Sequence, residues 1–195
     1  MKKITKVAGV DEVGRGSLIG PVYAAAVIFK NNIDKKKIID SKKLTKKNRE
    51  ILEKYIKKNS YWSIGSASLN EIEKLNILNA SLLAMKRAIK KLNKKPSSVL
   101  IDGNKTPKIE NYNLKSVVKG DEKIPEISAA SIIAKVARDR LIRKLSKKFT
   151  KYNWDKNAGY GTKHHLRAIK KFGVTIYHRK TFGPIHNILS PNKIT

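Results

Sequence analysis

Runs of apolar and polar residues divide the chain into short strands and longer helices. Ile4–Val10 and Val22–Phe29 are apolar runs that read as buried strands, and Tyr61–Leu69 predicts a third. Thr45 is a candidate N-cap. Behind it Ile51, Leu52, Tyr55 and Ile56 recur at helical spacing, opposite Lys46, Lys47, Lys54, Lys57 and Lys58. A longer helix is expected with Asn70 as its cap and Glu73 in the capping-box position. Its apolar stripe is Ile72, Leu75, Leu78, Leu82, Met85, Ala88, Ile89 and Leu92, and Pro96 ends the segment. Val99–Ile101 and Leu114–Val118 predict two more short strands. Glu126 or Ile127 opens a helix to about Phe149, with an apolar side rich in alanine. Trp154–Thr162 reads as a loop, Thr162 caps a last clear helix over Lys163–Phe172, and Ser190–Thr195 reads as a frayed tail.

This order predicts an α/β domain. The first three strands can form an antiparallel meander, and Val99–Asp102 can return through a helical crossover to lie parallel to Val7–Asp11. Asp11 and Asp102 would then sit side by side at the carboxyl ends of neighbouring strands, where α/β sheets place ligands. A length of 195 residues fits one domain. Residues from about 150 to 195 are expected to form a loop-and-helix extension packed on it. The chain has no internal repeat and no linker long enough to divide it.

The candidate chemistry lies where strands end. Asp11 and Glu12 close the first strand, Asp102 the fourth, and Asp121 follows the fifth. Acids are depleted in strands and rarely buried unpaired. If these strand ends share one edge, four carboxylates converge. Two of them about 4 Å apart repel by about 4 kcal/mol at an effective dielectric of about 20, so the cluster needs cations. All-oxygen ligation points to Mg²⁺ or Mn²⁺. The alternative is that these are unrelated acids at strand ends. Between the first two strands, Gly14-Arg15-Gly16 lets the backbone approach a partner closely while the guanidinium forks onto a phosphate. Ser41, Lys42 and Lys43 precede a helix and suit phosphate contacts. Tyr160, set between glycines, could stack on a sugar or base, or simply pack. His178-Arg179-Lys180-Thr181 reads as a basic patch suited to backbone contacts. Asp139, flanked by Arg138 and Arg140, reads as their ion-pair partner rather than a catalytic acid. His164 and His165 are adjacent, so they make no metal pair, and solvated or capping roles are expected.

Charge sharpens this picture. With 44 basic and 15 acidic residues the net charge is +29, which favours a polyanionic partner, nucleic acid first. Part of the excess is compositional, because only Arg15, Arg49, Arg87, Arg138, Arg140, Arg143, Arg167 and Arg179 are arginine and the rest is lysine. The absence of cysteine excludes disulfides and thiolate metal sites and fits a reducing, cytoplasmic setting. The longest apolar run, Val22 to Phe29, is far short of the roughly 20 residues that span a bilayer.

Asp11-Glu12-Val13-Gly14-Arg15-Gly16 with Gly20-Pro21-Val22 resembles the opening motif of the ribonuclease HII family. Asp40-Ser41-Lys42-Lys43-Leu44, Ile101-Asp102-Gly103, Lys119-Gly120-Asp121 and Ser128-Ala129-Ala130-Ser131 through Arg138-Asp139 extend the resemblance. Gly159-Tyr160-Gly161 and His178-Arg179-Lys180-Thr181-Phe182-Gly183-Pro184 carry it on, from about residue 7 to about residue 187. The resemblance implies a ribonuclease H-like fold, a mixed central sheet flanked by helices with a small C-terminal helical extension. It implies endonucleolytic cleavage of RNA in RNA–DNA hybrids and at ribonucleotides embedded in duplex DNA, by a monomer using two metal ions held by Asp11, Glu12, Asp102 and Asp121. It further implies that the Gly14-Arg15-Gly16 turn reads the ribose 2′-OH and that Tyr160 stacks on the following deoxyribose. Ser17 departs from the motif, which more usually has proline there; it supplies no ligand, so only the stiffness of the turn is affected. Two alternatives stand beside this reading. The ribonuclease HIII type has an extra N-terminal domain and lacks the arginine in the glycine turn. A non-catalytic hybrid-binding or ribosome-associated basic protein would not need acids at three strand ends.

Overall fold

The computed structural model describes residues 6–30, 33–39 and 44–190. Asp40, Ser41, Lys42 and Lys43 lie outside the described residues. β1 (Val7–Val13) is the central strand of a five-stranded sheet ordered β3-β2-β1-β4-β5. β2 (Val22–Phe29) pairs with it antiparallel, and β3 (Ser60–Ala67) extends the meander. β4 (Ser98–Asp102) runs parallel to β1, and β5 (Leu114–Val117) runs parallel to β4. The expected mixed sheet is therefore present. One boundary moves: β1 continues through Asp11 and Glu12 to Val13, so the acidic pair lies within a strand.

Helices cover both faces of the sheet. α1 (Lys36–Ile39) and α2 (Lys46–Lys58) follow β2, and the Thr45 hydroxyl accepts from Asn48 N, as expected of the α2 N-cap. α3 (Leu69–Lys90) packs on one face through Ile72, Ala80, Ala84, Ala88 and Ile89, against Ala8, Val10, Val99 and Ile101. Its cap differs from the expectation. Ser68, not Asn70, closes a capping box with Glu71. The helix is also broken at Asn76, whose φ is 64° and whose side chain caps the restart at Leu78 and Asn79. That break shifts the apolar stripe and leaves Leu75 exposed.

α4 (Pro125–Ser146) covers the other face, together with α1 and α2. It comes so close to β1 that a Cβ on Gly9 would lie 2.0 Å from the main-chain carbon of Glu126. The end of α4 enters a third core, built by the C-terminal extension: α5 (Trp154–Asn157), α6 (Lys163–Phe172) and α7 (Gly183–Leu189). Ile142 and Leu145 of α4 meet Trp154, Ala168, Ile169 and Ile185 there, and Leu18 and Ile19 reach in from the β1–β2 connection.

A buried polar chain crosses this third core. Trp154 Nε1 donates to His165 Nε2 at 2.8 Å, and His165 Nδ1 lies 2.9 Å from the Tyr160 carbonyl. A carbonyl only accepts, so His165 carries its proton on Nδ1. Thr175 N donates to His178 Nδ1 at 2.8 Å, which leaves the His178 proton on Nε2, facing His165 Nε2 at 3.3 Å. With both imidazoles neutral, the single lone pair of His165 Nε2 takes the indole N–H at 2.8 Å and is shared with the His178 N–H at the longer 3.3 Å. The solvated or capping role expected for His165 is therefore replaced by a buried, hydrogen-bonded one. Burial, with His165 alongside, lowers the pKa of His178 to about 4.

Two predictions follow from this packing. Gly9→Ala forces main chain from main chain, with no flexible side chain to yield, so urea unfolding should show a loss of about 3 kcal/mol or more. His178 stays neutral in the fold while the unfolded chain protonates it from about 6.5 downward, so its contribution is complete above that pH and disappears as pH falls through about 4. The loss for this one group is on the order of 3 kcal/mol. Unfolding midpoints between pH 7.5 and 4.5 should decline accordingly, and His178→Asn should flatten the decline; equal slopes in both proteins would contradict a neutral buried imidazole.

Candidate active site

The parallel register of β1 and β4 sets the site. Val10 pairs with Ile101, so the next residue on each strand is an aspartate, Asp11 beside Asp102. Strand alternation turns both toward the α4 face, away from Val10 and Ile101 in the α3-side core. Asp11 is 6% exposed. Its Oδ1 accepts from Glu12 N at 2.6 Å, and the Ser131 hydroxyl of α4 hydrogen-bonds its carboxylate. Burial, then the charges of Glu12 and Asp102, hold the Asp11 carboxyl well above the usual carboxylate range, and the bond from Ser131 only partly offsets them. Glu12 is raised by burial too, opposed by Arg15, whose Nη1 lies 3.1 Å from Glu12 Oε1. The guanidinium expected to grip a phosphate thus pairs with Glu12 here.

Asp121 stands differently from the expectation. It lies in a 3₁₀ turn, Gly120–Glu122, not at the end of a strand. The turn wraps onto Asp102, whose Oδ1 accepts from Gly120 N at 2.8 Å and Asp121 N at 3.3 Å. Asp102 and Asp121 are therefore joined through main chain. Among the described residues, no three His, Cys, Asp or Glu side chains are drawn together tightly enough to hold an ion unaided. The donor set still fits a hard divalent cation. It is all oxygen, and burial, with the charges of neighbouring acids added, raises both Asp11 and Glu12.

The glycine turn forms the adjoining surface. Gly14 has φ of 92°, a left-handed backbone that glycine alone adopts readily, and Arg15 and Gly16 are exposed. Tyr160, 37% exposed, borders Gly16: a Cβ on Gly16 would lie 3.7 Å from the tyrosine ring, ordinary contact distance. The two segments are bridged directly. Ser17 and Tyr160 form an isolated β-bridge, Leu18 N donates to Gly159 O at 2.9 Å, and the single Ser17 hydroxyl proton lies between Gly159 O at 3.0 Å and Ile19 O at 3.2 Å.

Three expectations are corrected here. Arg179, expected among the substrate contacts, is fully buried; its Nε donates to Gly20 O at 2.9 Å and its Nη1 to Arg15 O at 2.8 Å. It supports the turn from beneath, while Thr181 remains exposed at the surface. Burial, helped by the nearby Arg138 charge, lowers its pKa. Asp139 is not the partner of its neighbours: it pairs with Lys135 at 3.4 Å, and Arg140 pairs with Glu53. Arg138 turns inward and is fully buried. That could have been read in advance, because residue 138 continues the apolar side of α4 through Ile127, Ala134, Ile142 and Leu145.

Comparison with known proteins agrees with this geometry. The family model for ribonuclease HII matches residues 8–184. Ribonuclease HII of Pelagibacter ubique (strain HTCC1062) is 72% identical over 183 residues, covering 94% of this chain and 98% of that protein. Ribonuclease HII of Neisseria meningitidis serogroup B (strain ATCC BAA-335 / MC58) is 49% identical over 184 residues, 94% of this chain and 95% of that one. Among solved structures, ribonuclease H2 from Pyrococcus horikoshii OT3 superposes with a TM-score of 0.80 at 28% identity, covering 96% of this chain and 98% of that one. Bst-RNase HIII, solved in complex with Mn²⁺, shares the fold with a TM-score of 0.70 at 16% identity, covering 97% of this chain and 70% of that one. The acids on two parallel strands, the arginine-bearing glycine turn and the match along nearly the whole chain have one common reading: the chain belongs to the ribonuclease HII family.

Proposed function

We propose that this chain cuts the RNA strand of RNA–DNA hybrids and cleaves at ribonucleotides embedded in duplex DNA, by phosphodiester hydrolysis with two Mg²⁺ or Mn²⁺ ions. The observation that carries the reading is the β1–β4 register, which sets Asp11 beside Asp102 at one end of the sheet, next to a glycine turn exposed at Arg15 and Gly16. As a member of its family the protein is a metal-dependent endoribonuclease; the two-ion mechanism and the junction specificity are the proposed part.

Asp11, Glu12, Asp102 and Asp121 are the residues that would hold the ions. When bound, the ions supply Lewis acidity at the scissile phosphate and charge stabilisation at the leaving oxygen. The protein groups act around them. Ser131 holds Asp11 in place, and the Gly120–Asp121 amides orient Asp102. Arg15 pairs with Glu12 and stands half-exposed, so a phosphate could share its guanidinium. Discrimination of RNA from DNA rests on the 2′-OH, which is a donor, an acceptor and close to the backbone. Main-chain groups of Arg15 and Gly16 can approach it, while Gly14, expected among the contacts, is buried against Arg138; half-exposed Tyr160 lies beside them for the next sugar. Lys42 and Lys43 are assigned phosphate contacts on the sequence motif alone.

Three outcomes test the reading. Asp11→Asn and Asp102→Asn should each lower cleavage by at least about a hundredfold, several kcal/mol of transition-state stabilisation. Hybrid binding should survive or tighten, because repulsion of phosphates is relieved. Near-parental turnover by Asp102→Asn in Mg²⁺ would remove the metal assignment. Gly16→Ala meets no clash in the fold and needs no left-handed backbone, since Gly16, unlike Gly14, has no positive φ. Its methyl group should block approach of the sugar, so cleavage at a single embedded ribonucleotide should drop at unchanged thermal stability. Duplex affinity should fall with salt at a log–log slope near −5 if about six phosphates are neutralised, and a slope near zero would assign the charge to lysine composition alone.

A further inference from the structure

The glycine turn and the Tyr160 loop come from chain segments more than a hundred residues apart, yet a single buried side chain packs against Gly14 of the first and bonds main chain both in the connection after it and beside the second. Arg138, fully buried on α4, donates through Nη2 to Ile19 O at 3.1 Å, through Nη1 to Ala158 O at 3.1 Å and through Nε to Pro21 O at 3.4 Å. Its guanidinium carbon lies 5.9 Å from the centroid of the Tyr160 ring. The absence of a side chain on Gly14 makes room for it, because a Cβ there would fall 2.2 Å from Arg138 Nε.

An apolar side chain would fill this space at lower cost. A buried guanidinium loses several kcal/mol of hydration and holds its place only if its donors are satisfied. All three of these bonds go to main-chain carbonyls, two on the β1–β2 connection and one beside Tyr160. The guanidinium is planar and its donors form a fixed fork, so the three oxygens are held in one geometry. A lysine has the charge but not the fork.

We propose that Arg138 is a positioning residue that fixes the spacing between the glycine turn and Tyr160, and thereby the preference for a single ribonucleotide in a DNA duplex. It touches no substrate atom; it acts through the two segments that border the junction. Ser17 belongs to the same device, since its hydroxyl ties the turn to Gly159. The inference rests on the junction reading proposed above. A continuous RNA tract offers a 2′-OH at every position and tolerates a shift between the two segments. A lone ribonucleotide offers one, so the turn and the tyrosine must be correctly spaced around it.

The test compares kcat and KM on two substrates, a DNA duplex with one ribonucleotide and a hybrid with a continuous RNA strand, with thermal unfolding run on every variant. Arg138→Lys should lower cleavage of the single-ribonucleotide duplex about tenfold, mainly in kcat, as expected of misplacement, and that of the tract less than about threefold. Ser17→Ala removes one hydroxyl and should shift the ratio the same way by about threefold, as for one lost neutral hydrogen bond; it decides the matter alone if Arg138→Lys does not fold. In a Tyr160→Ala background neither substitution should change the ratio further. A merely structural role would lower both substrates in parallel with stability. Parallel losses, or ratio effects that multiply in the Tyr160→Ala background, overturn the proposal. If Tyr160→Ala lowers the ratio while Arg138→Lys and Ser17→Ala leave it at the parental value, the junction reading stands and this inference alone is lost. If Tyr160→Ala leaves the ratio unchanged, the junction reading fails and takes the inference with it.

Discussion

The close approach of α4 to β1 is the constraint on which the rest of the molecule depends. Gly9 permits it, because only a residue without a side chain lets strand and helix main chains meet at that distance. Once the two are in contact, one face of α4 is laid along everything that matters. Ile127 lies under the 3₁₀ turn that carries Asp121, Ser131 reaches Asp11, Arg138 reaches the glycine turn, and Ile142 enters the C-terminal core. These residues are spaced four or seven apart, so a single helix aligns the acids, the turn and the extension in one rigid row.

The site opposes two charge fields. Outside, lysine makes the surface strongly positive and favourable to a polyanion. At the sheet end, burial, with neighbouring acids adding to it, disfavours ionisation of Asp11 and Glu12. A phosphate would be attracted by the first and repelled by the second unless cations came between. The fold keeps Asp11 and Asp102 in place through neutral donors, Ser131 and the Gly120 and Asp121 amides, and only Glu12 has a cationic partner, the half-exposed Arg15. The buried arginines lie beneath the turn instead, bonded to carbonyls.

The C-terminal extension is part of this arrangement and not an appendage. Its main chain meets the β1–β2 connection at Gly159, Tyr177 and Arg179. Its core is crossed by a neutral Trp154–His165–His178 chain that ends on the carbonyl of Tyr160. Buried polar groups of this kind specify one geometry because every donor has one acceptor. The exposed ring of Tyr160 is therefore carried on backbone bonded both to His165 and to the β1–β2 connection.

Much of this was legible in the order of residues. Apolar runs located the strands, the Thr45 and Thr162 caps located two helix starts, and the crossover rule placed β4 parallel to β1, with Asp11 beside Asp102. These depend on local pattern and chain connectivity, which a linear sequence carries directly. Other features were not legible. Asn76 breaks α3, because a positive-φ asparagine can restart a helix while the apolar period runs on. Arg179 and His178 lie in a motif that reads as a basic surface patch, and His165 in a helix start that reads as solvated, yet all three are buried. The burial of Arg138 follows from its place on the apolar side of α4, but its main-chain acceptors do not. In each case the sequence states which groups are polar but not which acceptors will be brought within reach. Those acceptors are main-chain oxygens from distant segments, identical at every residue, and only the folded chain decides which of them a buried donor meets.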